Sequence, residues 1–197
     1  GIPRRLWGKV ALLALFNITG WNGLVLFGLQ ELPAGRSVIL AFTMPVWTVL
    51  LGVALFRERM TVRAWIAVAS AIIAVGLLAA NELNALTGRP IGVLWLQAAA
   101  LCWALGTQAM RRTSLAMPTE AVTVWMMVLG SLFFWAVAPL AEAPPAWRTW
   151  HAATWWSLAY GVFLNFGYAQ IIWFGLAREL PAQASAFSVM AVPLVGI

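Results

Sequence analysis

Two stretches of this sequence, Val38–Phe56 and Ala64–Ala80, carry no charged residue on any face. A helix in a soluble bundle keeps a polar stripe toward water. Runs of this length without one match the roughly 20 apolar residues that a membrane-crossing helix needs. Composition agrees: the 197 residues are 63% hydrophobic and 9% charged, against about 25% charged in a soluble domain. The sequence therefore predicts an all-α membrane protein, a polytopic helical bundle whose first partner is the lipid bilayer. The net charge of +6 does not argue for nucleic acid, because its positive residues sit in short connections between apolar runs and read as topology signals.

Six spans and the start of a seventh follow in order, at about 10–30, 33–55, 62–80, 92–110, 119–140 and 154–177, with the last opening at Pro181. Pro33 suits the start of the second span, since proline is tolerated in a helix's first turn. Thr61 is a plausible N-cap for the third, and Glu120 complements the positive end of the fifth. Arg4, Arg5, Lys9, Arg57, Arg59, Arg63, Arg111, Arg112 and Arg178 fall on one side of this alternation; Arg36, Arg89 and Arg148 fall on the other. The bias puts 1–9, 56–63, 111–118 and 178–180 in the cytoplasm of a cell whose inner (plasma) membrane holds the protein.

The phrase Phe27–Pro45 returns as Phe174–Pro193. From Glu31 onward the copies register at an offset of 148 (Glu31 to Glu179), so Ser37 meets Ser185 and Pro45 meets Pro193. Upstream the offset is 147, pairing Phe16 with Phe163, Gly20 with Gly167 and Trp21 with Tyr168. So long a period is not a solenoid's; it is the duplication of a whole unit. Span one and its echo, span six, are five helices apart, so they cross in opposite directions. The expected architecture is an inverted-topology repeat of five-helix units, associated with secondary transporters. The first unit covers 1–80, a linker 81–91, and the second unit 92–197. No initiator methionine is present and Pro193–Ile197 lies within an apolar run, so the sequence reads as a piece incomplete at both ends.

These residues reach a known family. Leu29 to Leu78, with mid-helix Pro45, the turn Phe56-Arg57-Glu58-Arg59-Met60-Thr61 and Gly76, resembles the EamA unit of the drug/metabolite transporter superfamily. Gly92 to Arg112, with its Ala-Leu-Cys-Trp-Ala core, resembles the opening helix of a second such unit. Arg57 departs from the pattern, standing where the family motif usually has glycine. The resemblance implies a ten-helix permease of which this chain covers about helices 3 to 9. It further implies export of small organic metabolites, such as amino acids or amphipathic compounds, by alternating access. A homodimer is left open.

Catalysis has little material. His151 is the one histidine and Cys102 the one cysteine, so no metal site is expected. No serine has a base partner within the spans, and no cofactor-binding loop is present. Polar residues at mid-depth are costly unless they face a cavity or a partner. Asn17 and Trp21 share a face of span one, and Asn165 and Tyr168 answer them on span six. Gln97 and Trp103 lie on the fourth span, with Thr107 and Gln108 nearer its end. Together with Thr43 and Ser188, the residues Asn17, Trp21, Gln97, Trp103, Asn165 and Tyr168 are the expected lining of a solute pathway. Pro45 and Pro193 deprive Ala41 and Val189 of helical donors and are the expected hinges. The rival reading is a non-transporting scaffold, in which the amides bond neighbouring helices; a membrane-embedded enzyme would need a titratable pair at depth. All six acidic residues fall at turns, so no proton-coupling acid is expected in these spans.

Overall fold

The computed structural model describes residues 3–58, 90–113 and 117–180, together with 60–62, 65–66, 68–70, 72–73, 76–77 and 80. Residues 81–89 of the expected 81–91 linker and the start of the seventh span, with Ser185, Ser188 and Pro193, lie outside the described residues. The described residues form helices and no strand. Among the described residues, four helices are long and apolar enough to cross a membrane: Arg4–Glu31, Ala34–Phe56, Ile91–Arg112 and Thr119–Ala141. The chain is an all-α, multi-pass membrane protein.

The first span is continuous but not uniform. α1 (Trp7–Ala14) runs into a π-helical segment, Leu15–Gly20, and then α2 (Trp21–Glu31). The sixth span has the same plan: α7 (Ala152–Ala159), a π segment at Tyr160–Ala169, and α8 (Gln170–Glu179). The two π segments occupy positions that the repeat register pairs. Each contains a glycine beside a carbonyl five residues back. A Cβ on Gly20 would stand 2.8 Å from the Leu15 carbonyl, and one on Gly167 would stand 3.1 Å from that of Val162. The wide π turn brings that carbonyl close, and glycine accommodates it.

The second span is broken. α3 (Ala34–Ala41) stops at Phe42 and Thr43, and α4 (Met44–Phe56) restarts with Pro45 in its first turn. Proline has no N–H to give Ala41, so the chain changes helices here instead of merely bending. Ahead of α3, Pro33 is the N-cap residue, and the Ser37 hydroxyl lies 3.1 Å from the Pro33 carbonyl.

α4 ends in a left-handed cap. Arg57 has φ 55° and is the only non-glycine with positive φ among the described residues. Its N–H reaches the Val53 carbonyl at 3.0 Å, and that of Glu58 reaches Gly52 at 3.1 Å. Glycine adopts this conformation without the penalty of a Cβ, which accounts physically for the glycine expected here. Replacing Arg57 with glycine should therefore stabilise this cap by up to about 1 kcal/mol, seen as a higher unfolding midpoint in detergent.

α5 (Pro90–Arg112) is the hub: it packs against α1, the first π segment, α2, α3, α4 and α8. Its small residues Ala99, Ala100 and Ala104 are fully buried and let neighbouring backbones approach. α6 (Thr119–Ala141) packs on α1, the first π segment and α8, and carries Glu120 in its first turn. Val68, from the third span, buries against Val46 and Val49. By contrast α7 and most of the second π segment are exposed. Trp7, Trp65, Trp147 and Trp155 are exposed near helix ends, as an interfacial belt requires. His151 is exposed too, as the N-cap residue of α7.

Candidate functional site

The interior is organised around Trp103 on α5, which is 7% exposed. Its ring lies 5.2 Å from that of Trp21, 5.8 Å from Phe174 in a stacked arrangement, and 6.2 Å from Trp173. Three helical elements, α2, α5 and α8, thus each send aromatic rings to one point.

Polar groups without partners sit on α5, α8 and the first π segment. Asn17, in the π segment, is fully buried. Its Nδ2 donates to the Leu13 carbonyl at 3.0 Å, while Oδ1 has no hydrogen-bond partner. Asn17 presses on Gly106 of α5, where a Cβ would come within 2.5 Å of Asn17 Cγ and 2.7 Å of Nδ2. Thr107 Oγ1 beside it, and Gln170 Oε1 and Trp173 Nε1 on α8, are likewise buried and unpartnered. Such groups are rare in native proteins, where buried polar atoms almost always find a protein, water or ligand partner. Their desolvation is expensive where no partner arrives.

The first span's other side faces a cleft of about 570 Å³. Ile18, Asn22 and Val25 form one wall, Met127, Ser131 and Phe134 of α6 the second, and Val162, Phe166 and Gly167 of the second π segment the third. The surface is mainly apolar, with Asn22 and Ser131 as its polar points. Asn22 Nδ2 donates to the Ile18 carbonyl at 2.7 Å.

The sequence-derived residues separate into three groups. Trp21 and Trp103 meet at the interior cluster, and Asn17 packs against Gly106 of the same α5. Thr43, Gln97 and Pro45 meet at the break between α3 and α4. There the Trp47 indole donates to Gln97 Oε1 at 3.0 Å, and the Thr43 hydroxyl lies 3.2 Å from the same oxygen. Asn165 and Tyr168 are exposed, Tyr168 by 65%, and do not reach the cluster. On that helix the inward face is Gln170, Trp173 and Phe174. The lone Gln170 within an apolar run was the available signal for it.

At the far end of α4 a polar knot closes the helix pair. Arg112 pairs with Glu58 and Gln108, and its guanidinium lies 3.6 Å from the Phe56 ring centroid. Gln108 Nε2 donates to the Thr48 carbonyl at 2.6 Å. Across the bundle, Arg178 donates to Thr119 Oγ1 at 2.7 Å, tying α8 to α6. Among the described residues, no three His, Cys, Asp or Glu side chains gather as a metal site.

The model of the EamA-like transporter family matches residues 1–80 and 90–197. The chain belongs to this family. Its curated relatives include the uncharacterized transporter YoaV of Bacillus subtilis (strain 168), 21% identical over 94% of this chain and 64% of the relative. The uncharacterized transporter sll0355 of Synechocystis sp. (strain ATCC 27184 / PCC 6803 / Kazusa) is 27% identical over 88% of this chain and 57% of its own length. A third, the uncharacterized transporter YvbV of Bacillus subtilis (strain 168), is 27% identical over 98% of this chain and 63% of its length. The EamA-like chain thus spans about three-fifths of the length of the curated relatives it matches. No solved structure matches it.

Proposed function

We propose that the intact EamA-like protein is a secondary carrier in the cell's inner membrane, moving small amphipathic organic solutes by alternating access. The observation that carries this reading is the conjunction at Trp103. Four aromatic rings meet there, and Asn17 Oδ1, Thr107 Oγ1, Gln170 Oε1 and Trp173 Nε1 are buried without partners, each on a ring residue or about one helical turn along the chain from one. Aromatic faces take up the apolar body of a solute, and the unmet oxygens and indole N–H take its polar groups. A closed lipid-facing bundle has no use for such groups; a pathway that opens to water and solute does.

The rest of the chain supports the motion. The inverted repeat supplies two units to rock against each other. The paired π segments fall within spans one and six, where repeat-related irregularities mark transport sites. Asn165 and Tyr168, facing away from the cluster, would join the lining from the second unit in another state of the cycle. Amino acids and amphipathic amines are the solutes to test first. Glu58 is engaged with Arg112 and is not free for proton coupling in this state.

The test is uptake of labelled amino acids and amphipathic amines by the full-length protein in liposomes. Trp21→Ala and Asn165→Ala should each lower the flux of the transported solute by about tenfold, the equivalent of about 1.4 kcal/mol. Flux untouched by both changes would remove these residues from the pathway. A folded, inserted protein that moves none of the solutes would favour the scaffold.

A further inference from the structure

We infer that Gln97 is the positioning residue of the broken second span, a side-chain staple that sets the angle between α3 and α4. The inference is independent of which solute is carried and of where its pathway lies.

The break creates a local shortage of hydrogen-bond partners within the bilayer. The Thr43 N–H turns back to the Leu40 carbonyl at 3.2 Å, and the Val46 and Trp47 N–H groups both use the Thr43 carbonyl, at 2.9 and 3.2 Å. Non-helical backbone at membrane depth survives only where protein groups satisfy it. Gln97 does so from another helix. Its Oε1 accepts the Trp47 indole N–H at 3.0 Å and faces the Thr43 hydroxyl at 3.2 Å, while its Nε2 donates to the Leu40 carbonyl at 3.3 Å. Leu40 closes α3 and Trp47 opens α4, so one amide holds both sides of the joint. The Thr43 hydroxyl also reaches the Leu40 carbonyl at 2.9 Å, and its single proton serves whichever oxygen the joint presents.

The two halves depend on Gln97 unequally. α4 has separate anchors on α5, through Gln108 to the Thr48 carbonyl and through Glu58 to Arg112. It also holds α5 over much of its length. On the α3 side Leu40 and Ala41 share an apolar cluster with Leu96, and apolar packing of this kind is less directional than a hydrogen bond. With Gln97 in place both sides of the joint are tied to one amide; breaking its bonds loosens α3 more than α4. Both ends of the Gln97 amide are engaged by the joint in this state, so Gln97 acts on transport through α3.

The test reads the hinge directly, with no solute present. The full-length protein, with Cys102→Ala and any other cysteine replaced, is spin-labelled in nanodiscs at two pairs of exposed sites. Ile39→Cys with Leu140→Cys reports α3; Leu55→Cys with Leu140→Cys reports α4. Gln97→Leu should broaden and shift the α3 distance distribution and leave the α4 distribution as in the parent. Trp47→Phe should give a smaller change of the same kind, and adding it to Gln97→Leu should produce little more, because the Trp47 bond is already lost with Gln97. Should Gln97→Leu fail to fold, the double variant Thr43→Val/Trp47→Phe, which removes both donors to Oε1, must show the α3-specific change. Distributions that stay unchanged, or that broaden equally for α3 and α4, would overturn the staple.

Discussion

Trp103→Ala should cost about 3–5 kcal/mol of stability, the range for removing a large buried aromatic side chain. Trp103 is where α5 touches rings from α2 and α8 at once, at 5.2 Å from Trp21 and 5.8 Å from Phe174. Truncation therefore empties the only aromatic junction shared by these three helices among the described residues, and the bundle closes around it poorly. Trp103→Phe keeps one ring in place and should lose less than half as much. Trp135, on α6 and 76% exposed, is the matched control. Its change to alanine should stay within about 0.5 kcal/mol. Unfolding in detergent micelles for the three variants gives the comparison. Equal losses for Trp103→Ala and Trp135→Ala would show that Trp103 is lipid-facing decoration.

The second large effect concerns the closest approach of two helices. Gly106→Ala should destabilise by about 1–3 kcal/mol, the cost of overpacking a tight interface. The new methyl would sit 2.5 Å from Asn17 Cγ, and Asn17 cannot step aside cheaply. Its Nδ2 is held by the Leu13 carbonyl and its backbone lies in the π segment. The clash is specific to one neighbour, so it should be relieved from the other side. Asn17→Ala combined with Gly106→Ala should be more stable than Gly106→Ala alone, a clear departure from additivity. Purely additive losses would mean that the two residues do not touch.

Much of this architecture was open to reading before any coordinates. The charge-free run 38–56 predicted the second span, and Glu120 falls in the first turn of α6, whereas Pro45, expected as a bend within one helix, stands where α3 gives way to α4. Asn17 and Trp21, four residues apart, do both face α5. The π segments were not legible, because a wide turn leaves no composition of its own; it follows from how neighbours press on the helix. That omission had a consequence on span six. A π segment changes the phase between sequence spacing and helix face, so a residue chosen by its repeat partner need not point where that partner points. Tyr168 pairs with Trp21 in register yet is exposed, while Gln170 and Trp173 carry the inward polar groups. Gln97 was legible as a polar residue at depth, but not its three bonds, since they span 50 to 57 residues of sequence. Spacing along one helix carries no information about such a partner.

The central claim is that the Trp103 cluster opens to water and solute during a transport cycle. Thr107 tests it most directly, being 3% exposed with an unpartnered hydroxyl. In a Cys102→Ala background of the full-length protein, Thr107→Cys can be challenged with a membrane-impermeant thiosulfonate in liposomes. Leu140→Cys, 88% exposed at the end of α6, reports complete labelling. The account predicts that Thr107→Cys reacts, more slowly than Leu140→Cys, and that a transported solute slows it further. A thiol at position 107 that never reacts while Leu140→Cys is fully labelled would contradict it.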